Sequence, residues 1–288
     1  MSNPDTPAQL AGHRFAGGTA VVERWEHVLF NFACGHDDVV RHDHVHPACA
    51  FHVPIRGAGT SVAELFDLVG ADGPASVGID RYEFDMPRPW RVGDVLRGEG
   101  RIAAVEPVTV AIGGSHRPAD LVTFEFTLAD DDGPVVVSRI VWWVDRPGRS
   151  VDDAATVVGP DVAGARDVDR GEPTATRTVH DVSADNMRLA AALFRDPYPI
   201  HWDAEASEAA GLGRRLVNQT PLNVAYVVDL LHDLHGVGSI RSLTLRFPGL
   251  VFAGDDVTAL AWIGEEGSHV ALVRKGRVVV VGDGAVND

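Results

Sequence analysis

Apolar and polar positions fall into two similar successions along the chain. In the first, Val22–Cys34 and Ser61–Val69 place apolar residues at helical spacing. Segments that read as strands follow, at Ser76–Phe84, Val95–Val105, Val108–Ser115, Leu121–Ala129 and Val135–Val144. Within them Val122-Thr123-Phe124-Glu125-Phe126-Thr127-Leu128 alternates with period two, the mark of a half-buried strand. Asp130-Asp131-Asp132-Gly133 supplies the turn after it. In the second succession, Ala184–Arg195 and Pro221–His235 read as helices. Strands are expected near Ser239–Phe247, Asp256–Ile263, His269–Arg274 and Arg277–Gly282. Apolar residues from Leu222 to Leu234 cover most of the Pro221 helix, as a helix wrapped by a sheet requires. One long helix packed on an antiparallel sheet in each half is an α+β layer arrangement.

The two successions share a phrase. Phe84 to Val95 resembles Phe247 to Val257, with Pro87 and Pro248 each six residues before a Gly-Asp. Gly93 and Gly254 stand 254 − 93 = 161 residues apart, and the same step carries Asp196 to Gly35, beside His36 and Asp37. Self-similarity on this scale predicts duplication of a whole domain. The division expected is residues 1–148, a linker at 149–173 rich in Asp, Gly, Ala and Pro, and residues 174–288.

The densest chemistry lies in Asp196-Pro197-Tyr198-Pro199-Ile200-His201-Trp202-Asp203. Pro197 and Pro199 stop the preceding helix, because each fixes φ and lacks an N–H. Each also pushes the residue before it toward an extended conformation. A carboxylate and an imidazole are thus carried on one stiff elbow, a plausible acid–base pair. The elbow resembles the (S/G)-D-x-N-P-I-H signature of the MaoC-like (R)-specific enoyl thioester hydratases. Asp196 falls on its Asp, and Pro199-Ile200-His201 on its Pro-Ile-His. Residues Val237 to Asp255 resemble the segment that follows the family's central helix, and the likeness spans roughly Thr176 to Trp262. Two positions depart from the pattern: Tyr198 stands in place of Asn, and Asn218-Gln219 in place of His-Gly at the entry to the central helix.

The resemblance implies a tandem (double) hotdog fold. The first half would lack the Asp-to-His elbow and supply a wall of the binding tunnel. It implies hydration or dehydration of a 2-enoyl or 3-hydroxyacyl thioester, with Asp196 and His201 sharing the proton work on one water. Backbone N–H groups at Gln219 and Thr220 would stabilise the enolate oxygen. Tyr198, Asn218, Gln219 and Thr220 are the candidate substrate contacts; Arg214 and Arg215 are candidates to meet phosphates of coenzyme A or a carrier protein. No cofactor is expected. Asp203 is expected to cap the helix after it. The departures at Tyr198 and Asn218-Gln219 favour two other readings. One is a specialised dehydratase or cyclase for a polyketide-like or dicarboxylic acyl group, the other a non-catalytic acyl-binding partner.

Composition narrows the field. The 45% hydrophobic and 23% charged content is that of a soluble globular protein, and no apolar run is long enough to span a membrane. The formal charge of −16 argues against nucleic acid, which needs a basic footprint. Cys34 and Cys49 make no disulfide framework, so a reducing cytoplasm is expected, with the chain a monomeric pseudo-dimer or a homodimer. His42-x-His44-x-His46 has a spacing that can bind zinc on a strand. No nearby carboxylate or cysteine completes a recognised signature and Pro47 interrupts the strand, so a polar loop without metal is expected there.

Overall fold

The structure is a computed structural model. It describes residues 7–36, 40–71, 76–112, 114–149, 155–161, 164–165, 170–265 and 267–286. Asp37 and part of the expected linker lie outside these residues.

The first half contains β1 (Gly18–Ala20), α1 (Arg24–Ala33), α2 (Val53–Gly57), α3 (Val62–Val69), β2 (Val77–Asp85), β3 (Leu96–Ile112), β4 (Ser115–Asp130), β5 (Gly133–Asp145) and β6 (Ala155–Val158). The second contains β7 (Ala175–Val179), α4 (Ala184–Phe194), α5 (Ala204–Ala209), α6 (Thr220–His235), β8 (Ile240–Arg246), β9 (Val257–Gly264), β10 (Gly267–Arg274) and β11 (Arg277–Val286). The strands form one sheet in the order β1-β3-β4-β5-β2-β8-β11-β10-β9-β7, with β6 parallel to β3. The halves join through β2 and β8, whose register pairs Glu83 with Thr244. Those two residues are again 244 − 83 = 161 apart, so a pseudo-twofold axis passes through that pair.

The repeated Gly-Asp phrase has one local cause. Gly93 and Gly254 both adopt positive φ (91° and 79°), which a side chain would strain. The following carboxylate then accepts the N–H three residues back: Arg91 to Asp94, and Phe252 to Asp255, each at 2.9 Å. Backbone bonds fix a further correspondence, Val45 N–H to the Trp90 carbonyl and Asn218 N–H to the Val251 carbonyl. His46 therefore matches Gln219, and each opens the helical segment that follows.

Those segments differ. In the second half α6 runs unbroken for 16 residues, buried from Pro221 to Leu231, and packs across β7 to β10. In the first half the stretch is broken into a 3-10 turn at Pro47–Ala50, α2 and α3. The short α2 lies flat on β3 because both partners lack side chains at the contact. A Cβ on Gly98 would come within 2.1 Å of the Gly57 backbone.

Two expectations are corrected. Val95–Val105 and Val108–Ser115 are not separate strands; β3 continues through Pro107, which pairs opposite Asp120. Between the stretches covered by β1 and β6 the outer edge of β3 has no neighbour among the described strands, so the N–H that proline lacks is not needed. The 149–173 segment is not wholly a linker. Its Ala155–Val158 stretch is β6, and Asp161 and Ala165 bridge to Gly249 and Val278.

Candidate active site

The elbow begins with a strained residue. Arg195 ends α4 in the left-handed region (φ 51°), which side chains other than glycine and asparagine seldom adopt. Asp196 N–H then closes on the Ala191 carbonyl at 2.9 Å, and Asp196 Oδ1 accepts Tyr198 N–H at 2.9 Å. Pro199–His201 forms a 3-10 turn, and Asp203 accepts the Glu205 N–H at 2.8 Å, capping α5. The cost of the left-handed arginine is met locally by these bonds, which aim the carboxylate back across the turn.

His201 is fixed from the other side. Its Nδ1 lies 2.7 Å from the Val217 carbonyl oxygen, which can only accept, so Nδ1 carries the ring proton. In the neutral ring Nε2 then keeps its lone pair, 3.7 Å from Asp196 Oδ2. That is too long for a direct hydrogen bond, and both side chains are mostly buried. Two acceptors held this way offer a place for a proton donor between them, and water fits that role.

Both residues line a cavity of about 340 Å³ that the two halves enclose together. The second half contributes Tyr198, Asn218, Gln219, Thr220 and Phe247; the first half contributes Phe51, His52, Phe66, Trp142 and Trp143. The Tyr198 ring stands edge-on to both His201 and Phe66, each with centroids 5.5 Å away, and so links the elbow to the opposite wall. Gln219, at the N-cap of α6, is buried, and its Nε2 donates to the Met187 carbonyl at 2.8 Å. Asn218 Nδ2 donates to Asn223 Oδ1 at 2.8 Å. Thr220 begins α6 on the cavity wall; its N–H has no intrahelical acceptor, and Pro221 after it has no N–H at all.

Arg214 and Arg215 stand elsewhere. Arg214 pairs with Glu208 at 2.6 Å on the outer surface. Arg215 pairs with Asp255 at 2.8 Å and covers the Phe252 ring at 4.7 Å. Neither lines the cavity, and the arginine that does is Arg117 of β4. The sequence gives no local signal for Arg117, His52, Phe66 or the Trp142-Trp143 wall, because all are more than 50 residues from the elbow and only the tertiary fold brings them to it. His52 is buried, and burial together with the nearby Arg56 charge pushes its pKa down to about 3.

The histidines of the first half gather differently from the expectation. His42, His44 and His46 do not share a strand; only an isolated bridge, His44 to Arg91, occurs there. Instead His36 and His46 approach Asp229 Oδ1 of α6, at 3.1 and 3.3 Å, with His232 one turn further on. Burial alone would raise the Asp229 pKa, but the hydrogen bonds from His36 and His46 outweigh it and hold the carboxyl below its ordinary range. Burial and the neighbouring His46 push His232 down to about 3.

Residues 167–287 match the family model described as a MaoC like domain. No curated protein matches the chain. Among solved structures it is similar to a MaoC-like dehydratase from Phytophthora capsici, at 16% identity and a TM-score of 0.74, over 100% of this chain and 98% of that one. It is also similar to HtdX from Mycobacterium tuberculosis, at 14% and 0.68, over 93% and 98%. A third, a Mycobacterium tuberculosis protein described as having a double hotdog fold, matches at 13% and 0.59, over 96% of each chain. At such identities structural likeness speaks for fold. The chain has the double hotdog fold, and its C-terminal residues 167–287 match the MaoC like domain model.

Proposed function

We propose that this protein is a hydro-lyase that adds water to a 2-enoyl thioester, or removes it from a 3-hydroxyacyl thioester. The observation that carries the reading is the His201 Nε2 lone pair held 3.7 Å from Asp196 Oδ2 on the wall of a mostly apolar cavity. In the hydration direction, one water donates hydrogen bonds to both atoms. Its oxygen bonds to C3 as one of its protons passes to the Asp196–His201 pair, and the π electrons move toward the thioester oxygen. The resulting enolate takes a proton from the pair at C2, so H and OH have been added across the double bond. The enolate oxygen would be stabilised at the start of α6, where the Thr220 N–H and the positive end of the helix dipole lie.

A second reading keeps the same pair and changes the acyl group. Phe66, Trp142, Trp143 and Tyr198 make the cavity wall broad and aromatic, which favours a bulky or ring-forming chain over a slender one. The test is a panel of 2-enoyl coenzyme A thioesters with straight, branched, aromatic and dicarboxylic chains, followed by loss of the conjugated thioester absorbance. Turnover that Asp196→Asn and His201→Ala both remove is expected. Turnover untouched by either variant would overturn the assignment of the pair.

A further inference from the structure

The start of the first half's broken segment and α6, neither with a role at this point in the proposed chemistry, bring together a second set of convergent side chains. We propose that His46, Asp229 and His232 bind a divalent transition metal of the zinc type, tying the first half to the central helix of the second. Their ligand atoms all lie within 4.8 Å of one another. Asp229 and His232 are three apart on α6, so they share a face of the helix. In a tetrahedral zinc site with bonds of about 2.0–2.2 Å, neighbouring ligand atoms are about 3.3 Å apart. His46 Nε2 and Asp229 Oδ1 stand at 3.3 Å already, and the His232 ligand atom lies within 4.8 Å of both. Two imidazoles and a carboxylate are a zinc-type donor set. His36, 3.1 Å from Asp229 Oδ1, is placed as the outer partner that orients the carboxylate.

A second observation points the same way. His232 Nε2 is buried without a hydrogen-bond partner, and so are His27 Nε2, His42 Nδ1 and His235 Nε2. Buried polar atoms are nearly always paired, and a purely hydrogen-bonded plug would leave the His232 nitrogen orphaned beside a carboxylate. Ala48 N–H donates to His46 Nδ1 at 3.2 Å, which puts that ring's proton on Nε2, facing Asp229. Metal binding at Nε2 needs the neutral tautomer with its proton on Nδ1, so the proton moves to Nδ1 and the ring gives up the Ala48 contact when the metal binds. Asp229 lies nine residues along α6 from Thr220, about 14 Å at helical rise, so this site is separate from the proposed active site.

The experiment loads the purified full chain with zinc, removes the excess by buffer exchange and measures retained metal and melting temperature. About one zinc per chain is expected, with a higher melting temperature than the chelator-treated protein. His232→Gln should lose most of that zinc while keeping the native circular dichroism spectrum. His180→Ala, an exposed histidine elsewhere, should keep it. Retention below about a tenth of an equivalent by the native chain, or equal retention by His232→Gln, overturns the proposal. Should His232→Gln not fold, cobalt(II) loading of the native chain decides: visible bands of a four-coordinate site are expected, and their absence also overturns it.

Discussion

At the end of α4 the chain turns through Asp196 and His201 into an open cavity; at the matching end of α1 it turns through Gly35 and His36 into packed side chains. Each helix is followed by a left-handed residue, Gly35 (φ 93°) and Arg195 (φ 51°), and the two turns differ in what lies opposite. Each elbow faces the helical segment of the other half. The second-half elbow looks onto the broken segment, where Phe51, His52, Val62 and Phe66 stand back and leave space. The first-half elbow looks onto unbroken α6, whose Asp229 and His232 fill the equivalent room. A break in one helix therefore opens the site in the other half, and neither half by itself carries a complete cavity.

The largest effect expected from this asymmetry is on turnover. Asp196→Asn and His201→Ala should each lower kcat/KM by about 10²–10⁴, the usual worth of a positioned acid or base. Because both act on one water, the double variant should be little worse than the poorer single variant. Losses that multiply would mean the two residues work in separate steps and would break the reading of a shared water.

The repeated Gly-Asp turn offers a comparison in stability. Asp255 is almost wholly buried and receives Arg274, itself buried, at 3.1 Å and Arg215 at 2.8 Å. Removing it by Asp255→Ala takes the carboxylate from a buried guanidinium, which costs about 3–5 kcal/mol. Urea unfolding checks this, and a loss below about 1 kcal/mol would show that solvent reaches Arg274 freely.

Local motifs were legible and distant convergence was not. Asp196 and His201 could be found because five residues and two prolines hold them together, and the 161-residue step could be read because Gly-Asp turns need their own residues. The His46–Asp229 contact joins residues 183 apart. No carboxylate near His42, His44 and His46 in sequence completes a recognised zinc signature, while the fold brings Asp229 of α6 beside His46. Arg214 and Arg215 are near the elbow in sequence, but in the fold they pair with Glu208 and Asp255 and do not line the cavity. β6 was hidden because four residues amid Asp, Gly and Pro carry too little pattern to signal a strand.

His52, on the broken segment, should make stability depend on pH. In the folded chain its pKa is pushed down to about 3 by burial and then by Arg56, whereas the unfolded chain takes up that proton near 6.5. Between those values the unfolded state binds more protons. Its contribution is therefore full above about pH 6.5 and falls by about 1.4 kcal/mol per pH unit below it. Unfolding measured from about pH 7 to about pH 5 should show a slope that His52→Gln reduces by about one proton. An unchanged slope would mean that the histidine becomes solvated in the native state.

The smallest effect belongs to the other Gly-Asp turn. Asp94 accepts the Arg91 N–H at 2.9 Å, as Asp255 does for Phe252, but it is partly exposed and neither of the two arginine contacts made by Asp255 has a counterpart at Asp94 among the described ion pairs. Asp94→Ala should therefore cost only the turn's hydrogen bond, about 1 kcal/mol. Measured beside Asp255→Ala, it separates the part of the motif that both halves need, a carboxylate closing a glycine turn, from what only the second half has added. If the two losses were equal, the turn itself would account for both, and the buried arginine would contribute nothing beyond it.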